Sequence, residues 1–225
     1  MNDGRTREEA AIKIACIQME PVVGEKERNV RRSLELIEDA AVNGAHLLVL
    51  PELCNSGYVF DSREEAFALA EEIPNGPTCR GWQEAARKHG LHIVAGINER
   101  DGQSLYNASV VIGPAGHLGT FRKVHLWNKE NLFFERGNVG FPVFRTPFGR
   151  IGTFICYDGG FRKASDYAPS REPISSASRR TGFRFQARRK IERPWLIFCA
   201  WRLPIQIRYL SLPPTARVWS AASPL

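Results

Sequence analysis

The chain has 225 residues, 43% of them hydrophobic, and a formal charge of +7; that is enough apolar material for one large α/β domain or two small ones, and no apolar run approaches the ~18 residues of a membrane span. Five cysteines (Cys16, Cys54, Cys79, Cys156, Cys199) are odd in number, irregularly spaced and never in a CxxC pair, which argues against a zinc site or disulfide framework and leaves free thiols. The charge is unevenly spread: residues 1–160 hold 18 basic and 21 acidic side chains, a net of −3, whereas residues 161–225 hold 13 and 3, a net of +10.

Met1 to Glu9 is polar and charged, unlike a signal or transit peptide, so the expected location is the cytoplasm. Ile12–Met19 is a β-rich apolar run that predicts a buried first strand. From Glu25 to Asn43, Val30, Leu34, Ile37 and Ala41 recur at spacings of three and four, which predicts an amphipathic helix closed by Gly44. Leu47–Leu50 is a second short strand ending at Pro51. Ser62, followed by Glu64 and Glu65, opens another helix with acidic residues at its positive end. Pro77 to His89 is a third, ended by Gly90. Strands are expected at Ile93–Asn98, Ala108–Ile112 and His117–Arg122, then a hairpin of Val143–Thr146 and Arg150–Cys156. Helices and strands alternate first and hairpins follow, an order that suits a mixed α/β sheet covered by helices.

Three stretches end a predicted strand with a reactive or ionisable side chain. In Leu48-Val49-Leu50-Pro51-Glu52, with Asn55-Ser56-Gly57-Tyr58 behind it, a carboxylate just past a buried strand is partly desolvated; its pKa rises and it can act as a base. In Phe121-Arg122-Lys123-Val124-His125-Leu126-Trp127, Lys123 can present a fixed positive charge to a developing oxyanion. In Ile151-Gly152-Thr153-Phe154-Ile155-Cys156-Tyr157-Asp158-Gly159, a cysteine at a strand end beside a glycine-bearing turn can expose its sulfur, and a thiolate there needs a local base or cation. Singly, each has a bland reading: a solvated loop glutamate, an exposed strand-end lysine, a core cysteine. His89, His92, His125, Cys16 and Cys79 are read as structural, the first two flanking a helix end.

The three motifs in this order resemble the nitrilase superfamily of carbon–nitrogen hydrolases, over about Ile12 to Gly159. The run Glu130-Asn131-Leu132-Phe133-Phe134-Glu135-Arg136-Gly137 looks like a segment of N-carbamoyl amino acid amidohydrolases and aliphatic amidases, in which Glu130 would be a second active-site acid. The resemblance implies an αββα sandwich, a Cys156 nucleophile with Glu52 as base, and an oxyanion held by Lys123 and the backbone N–H of Tyr157. It implies an amide or N-carbamoyl substrate, no metal or organic cofactor, and a homo-oligomer, part of whose contact surface would fall after residue 160. Tyr157-Asp158 after the nucleophile favours amides over nitriles, which more often go with Cys-Trp-Glu. Asn55 and Cys54 lie in a pocket-adjacent stretch that does not name the substrate.

Beyond Gly160 the composition changes. Arg and Ser crowd residues 170–190, Pro and Trp punctuate 194–219, and no strand or helix period persists; Leu196–Ala200 is apolar but has no amphipathic surroundings. The family pattern calls instead for an aromatic and Pro-Glu, a helix, then a strand ending near Pro-Thr-Asn-Trp. Read from the third base of the Gly160 codon, permissible codons for residues 160–187 can encode LPESFRLCALAGADIICVPTNWVPFPG, which has all of these, and residues 188–208 can encode AKEDRAAMANILCMAAAHSNS. The expectation is therefore residues 1–160 of a hydrolase domain followed by a frameshifted basic segment, 161–225, irregular in structure. The strand bearing Cys156 would lack neighbours, and hydrolysis would be impaired. The competing readings are a non-catalytic remnant, and a nucleic-acid-binding arm made by the Arg-rich segment; the second is disfavoured, for want of a helical basic stripe or spaced aromatics, and neither nucleic acid nor membrane is expected as a partner.

Overall fold

Ile12, Ile14, Ala15 and Ile17 are buried in the first strand, β1 (Ile12–Gln18). The computed structural model describes residues 12–160, and the backbone of residues 184–185, 195–199, 206–212 and 218–219. Helix α1 (Lys26–Val42) follows β1, then β2 (Leu47–Val49), α2 (Arg63–Leu69) and α3 (Pro77–His89). Three long antiparallel strands come next, β3 (His92–Asp101), β4 (Ser104–Gly113) and β5 (Gly116–Arg122), and then the hairpin of β6 (Val143–Thr146) and β7 (Gly149–Ile155). Short 3-10 turns occupy Asn128–Leu132 and Cys156–Gly160. The remaining strands are β8 (Arg184–Phe185), β9 (Trp195–Cys199), β10 (Gln206–Leu212) and β11 (Val218–Trp219).

The main sheet has the order β10-β1-β2-β3-β4-β5, parallel through β1, β2 and β3 and antiparallel elsewhere; a second has the order β6-β7-β9, and β8 pairs with β11. β3 and β4 read as nearly continuous apolar runs because both faces are covered. On one face α1 and α3 pack Ile37, Trp82 and Ala86 against Leu48, Ile93 and Val110. On the other, Ile14, Leu47, Val94 and Val111 meet Phe144 and Ile151 of the second sheet. Helix, sheet and sheet thus stack as three layers in a mixed α/β fold of the αββα sandwich type, and the expected incompleteness after Cys156 lies outside the described residues.

The predicted helices form with the expected ends. Ser62 caps α2 by accepting the Glu65 N–H at 3.1 Å, and α3 spans the predicted Pro77–His89. The buried face of α1 is turned from the predicted one: Asn29, Ser33, Leu36, Ile37 and Ala40 face inward, and Val30, Leu34 and Ala41 border it. Two of these are polar because they have partners inside. Asn29 bonds the Val22 and Asn55 carbonyls, and Ser33 Oγ accepts the Trp82 indole N–H at 2.9 Å. β3 and β4 also extend beyond the predicted strands, to a tight turn at Gly102-Gln103, so β4 begins at Ser104 rather than Ala108.

Within residues 161–225 the described backbone consists of four short strands. β9 runs parallel to β7 and β10 antiparallel to β1, so β7 has a neighbour on each side. Both lie on strand edges whose N–H and C=O groups would otherwise be open, and an open edge accepts any extended segment that can reach it. The rest of 161–225, including the Arg/Ser-rich stretch and the predicted break at Phe161, lies outside the described residues.

Two glycines separate local preference from packing. A Cβ on Gly81, inside α3, would make an ordinary 3.5 Å contact with Leu34, whereas one on Gly96 would stand 2.4 Å from the Pro51 carbonyl and 2.5 Å from Glu52 Cα. Gly81→Ala is expected to raise stability by about 0.5–1 kcal/mol, and Gly96→Ala to lower it by about 2 kcal/mol or more as backbone is forced apart. Urea titrations of both variants check this; equal effects would show that the β2–β3 contact is not tight.

Candidate active site

Three strand ends converge. β2 delivers Pro51-Glu52, β5 delivers Lys123 and β7 delivers Cys156. Glu52 lies against β3 because Gly96 has no side chain there, and the Gly96 N–H donates to the Pro51 carbonyl at 3.0 Å. The next residue, Leu53, has φ 47°, which turns the chain sharply away. Lys123 is held by its backbone: its N–H donates to the Asn107 carbonyl and its carbonyl accepts the Gly137 N–H, both at 2.8 Å. A Cβ on Gly137 would fall 1.9 Å from the Arg122 carbonyl, so glycine is required for that approach. Cys156 opens its 3-10 turn with φ 46°, a left-handed conformation that costs a non-glycine residue about 1 kcal/mol or more and lifts the side chain off the strand line.

The polar cluster is fully interior. Lys123 and Glu52 have no exposure and Glu130 is 4% exposed. Lys123 Nζ donates to Glu52 Oε1 at 2.7 Å and to Glu130 Oε1 at 2.8 Å. Asn107 Nδ2 donates to the same two oxygens, at 2.6 Å and 3.2 Å. Glu130 Oε2 accepts the Trp127 N–H at 2.7 Å, the N-cap bond of its own 3-10 turn, and Glu130 is also bonded by the Tyr58 hydroxyl. Glu52 Oε2, in contrast, is buried and has no partner among the described residues.

The charges shift one another. Burial raises the Glu52 carboxyl, Lys123 opposes that, the negative charge of Glu130 adds to it, and the result is a pKa pushed up to about 7. Burial alone would lower the Lys123 ammonium, but Glu52, Glu130 and the Cys156 sulfur outweigh it and hold the lysine firmly charged. Burial, reinforced by Glu52, pushes the Cys156 thiol up to about 12, against the pull of Lys123 and of the Tyr157 N–H that bonds the sulfur. Burial thus holds the cysteine as a thiol beside a carboxyl raised toward neutrality. Burial, then Glu130 and Glu52, drive the Tyr58 phenol far above its usual range.

All the residues singled out in the sequence thus share one locality: Glu52, Lys123 and Glu130 in contact, Cys156 within electrostatic reach of all three, and Tyr157 presenting its amide to the sulfur. Three others were given no role there. Tyr58 belongs to a quoted motif, Asn107 falls in the part of β4 not predicted as strand, and Asp158 follows the nucleophile. Asp158 is fully buried and joins two loops: its Oδ1 accepts the His125 N–H at 2.8 Å and meets the His125 ring at 2.8 Å, and its Oδ2 accepts the Ile155 N–H at 3.4 Å. His125 keeps its structural reading through this contact. His89 closes α3 and bonds Glu38 at 2.6 Å, whereas His92 departs from the helix-end reading: it is buried in β3, its ring 4.8 Å from that of Phe148. Cys54 Sγ donates to the Gly96 carbonyl, Asn55 Oδ1 accepts the Asn98 N–H, and burial followed by Glu71 and Glu99 pushes the Cys79 thiol up to about 12. No helix among the described residues is long and apolar enough to cross a membrane.

Residues 13–168 match the family model described as carbon-nitrogen hydrolase. A protein named nitrilase from Pyrococcus abyssi is 44% identical over 154 residues, covering 68% of this chain and 59% of that protein. The N-carbamoylputrescine amidase of Arabidopsis thaliana is 33% identical over 144 residues, with 61% of this chain and 48% of that protein covered. Among solved structures, Saccharomyces cerevisiae Nit3, a member of branch 10 of the nitrilase superfamily, superposes with a TM-score of 0.62 at 26% identity, over 69% of this chain and 59% of that one. The chain spans about half to three fifths of the length of the relatives it matches.

The buried lysine gives a measurable signature. Lys123→Met leaves two interior carboxylates with no cation, a loss on the order of 3–5 kcal/mol where both are ionised. A carboxyl raised in the fold contributes stability that is complete below its unfolded value, 4.5 for Glu52, and lost as pH rises through its folded value, about 7. The deficit of the variant in urea unfolding should therefore be large at pH 8 and much smaller at pH 5. An equal deficit at the two pH values would contradict the charge arrangement.

Proposed function

The chain belongs to the carbon–nitrogen hydrolase family, and on that premise we propose that its site hydrolyses an amide or N-carbamoyl bond through a thioester on Cys156. The observation that carries this reading is the asymmetry of Glu52: Oε1 is saturated by Lys123 and Asn107, while the buried Oε2 is left without a partner among the described residues, within electrostatic reach of a strained cysteine.

The proposed steps follow from that asymmetry. Glu52 takes the proton of the Cys156 thiol as the sulfur forms a bond to the carbonyl carbon of the substrate. Charge develops on the carbonyl oxygen, where Lys123 and the Tyr157 N–H are the available donors. The tetrahedral adduct then collapses, the carbon–nitrogen bond breaks, and the leaving amine or ammonia departs with the proton from Glu52. Water attacks the thioester and gives a proton to Glu52; the carbon–sulfur bond breaks, the acid is released and the sulfur regains the proton. Glu130, with the Tyr58 hydroxyl beside it, orients the substrate nitrogen and the water. The cycle needs no metal or organic cofactor.

Tyr157-Asp158 after the nucleophile supports amide and N-carbamoyl substrates, and the 44% identity to a protein named nitrilase supports nitriles as the second reading. The Gly160 frame change is part of the same proposal: the alternative frame restores the helix and strand that the family pattern calls for. The 225-residue chain is accordingly impaired, because the cover of the second sheet is encoded there. We place the protein in the cytoplasm, acting on a small-molecule amide or carbamoyl substrate, with no nucleic-acid or membrane partner.

Ammonia release from simple aliphatic amides, N-carbamoyl amino acids and aliphatic nitriles tests this, on the chain as it stands and with the frame restored. Turnover is expected only in the restored form; comparable turnover in both would show that residues 161–225 complete the site. In the restored form Cys156→Ala should lower kcat by about 10⁴-fold or more, leaving Cys54→Ala near wild type. Activity persisting in Cys156→Ala would overturn the nucleophile. The pH profile is a separate check: kcat/KM should rise as Glu52 loses its proton near pH 7, since the protonated acid cannot accept from the thiol, and a profile flat from about pH 5 to 8 would remove Glu52 as base.

A further inference from the structure

We propose that Asn107 is a positioning residue of this site: its side-chain amide pins Oε1 of Glu52 against Oε1 of Glu130, so that Oε2 of Glu52 is the oxygen left to receive the Cys156 proton. This rests on the thiol reading above and goes beyond it, because it concerns what decides which carboxylate oxygen is the base.

Asn107 sits in the middle of the main sheet with no exposure, opposite Asn98 on β3. Its Nδ2 carries two hydrogens, and two oxygens accept them: Glu52 Oε1 at 2.6 Å and Glu130 Oε1 at 3.2 Å. Those are the oxygens that Lys123 Nζ bonds, so an ammonium and an amide jointly bridge the same pair. The orientation of the amide is fixed by charge. Reversed, Asn107 Oδ1 would stand 2.6 Å from a carboxylate oxygen, acceptor against acceptor. In the orientation present, Oδ1 is buried without a partner among the described residues, a cost that nothing in the sheet offsets. Asn107 also fixes the lysine, since its backbone carbonyl accepts the Lys123 N–H at 2.8 Å.

A residue that only filled the sheet would favour an apolar side chain here, because half of the amide is unsatisfied. What the amide supplies, and a leucine cannot, is a donor to two like-charged carboxylates. Without it Lys123 alone holds that oxygen, the carboxyl plane is less constrained, and the carboxyl loses a donor that favours its ionised form.

The test reads the base without substrate: carbamidomethylation of Cys156 by iodoacetamide, followed from about pH 5 to 9 by mass spectrometry of the full chain. Wild type, Glu52→Gln, Asn107→Leu and Asn107→Ala are compared, and near-UV circular dichroism reports whether each is folded. In wild type the rate should climb through about pH 7 and in Glu52→Gln that rise should vanish. In Asn107→Leu or Asn107→Ala the rise should move up by about one pH unit and the rate at pH 7 fall by about tenfold. If folded Asn107 variants keep the wild-type profile while Glu52→Gln loses it, Asn107 is structural and the inference falls by itself. Unfolding of both Asn107 variants would overturn it equally. If Glu52→Gln matches wild type, the base assignment falls and this inference falls with it.

Discussion

The site is organised by one buried cation. An ammonium with no contact to water must be bonded and balanced, and Lys123 meets both needs with Glu52 and Glu130. The reverse also holds. Two carboxylates that share a donor in a dry interior repel each other, and without the lysine one or both would hold a proton. Each group is therefore tolerable only because the other two are present, which explains why residues 52, 123 and 130 come from two separate loops yet behave as one unit. Burial, with the surplus negative charge adding to it, is what lifts Glu52 into the neutral range and keeps Cys156 protonated. A carboxyl pushed up to about 7 beside a thiol follows from burial and the balance of charges as much as from the identity of any single residue.

Much of this is legible in the sequence, because the signals are of the strong kinds. A carboxylate, a lysine and a cysteine each end an apolar strand, and buried strands terminate where loops can carry function. Helix ends are marked by Ser62, Pro77 and Gly90. What the sequence hides are residues whose importance is a matter of lateral contact. Asn107 lies inside a strand whose polar start, Ser104-Leu105-Tyr106-Asn107, resembles a loop until it is paired with β3. The inward turn of α1 toward Asn29 and Ser33 is hidden for the same reason: a polar residue looks solvent-facing unless its partner, here Trp82 or Asn55, is known. His92 reads as a helix-end residue, and its ring instead fills the space beside Phe148 between the sheets.

The segment after Gly160 shows a different limit. Composition and period argue against regular structure there, and they consider the segment by itself. A β-strand, however, is specified partly by the edge it meets. β1 and β7 each present a row of open backbone groups, and extended stretches at Gln206–Leu212 and Trp195–Cys199 lie along them. Backbone pairing is nearly indifferent to sequence, whereas the buried layers of residues 12–160 are not. Strand formation and selection for a packed core are therefore separate questions, and the first can be answered yes while the frame proposal answers the second no.

Asp158 gives the cavity a mechanical property. By holding the His125 backbone and ring with one oxygen and the Ile155 N–H with the other, it clamps the turn that carries the sulfur to the loop that carries the lysine. Those two walls are coupled as one jaw: neither can retreat without dragging its counterpart out of register. Val59, beside Tyr58 in the chain and largely exposed, stands outside that clamp.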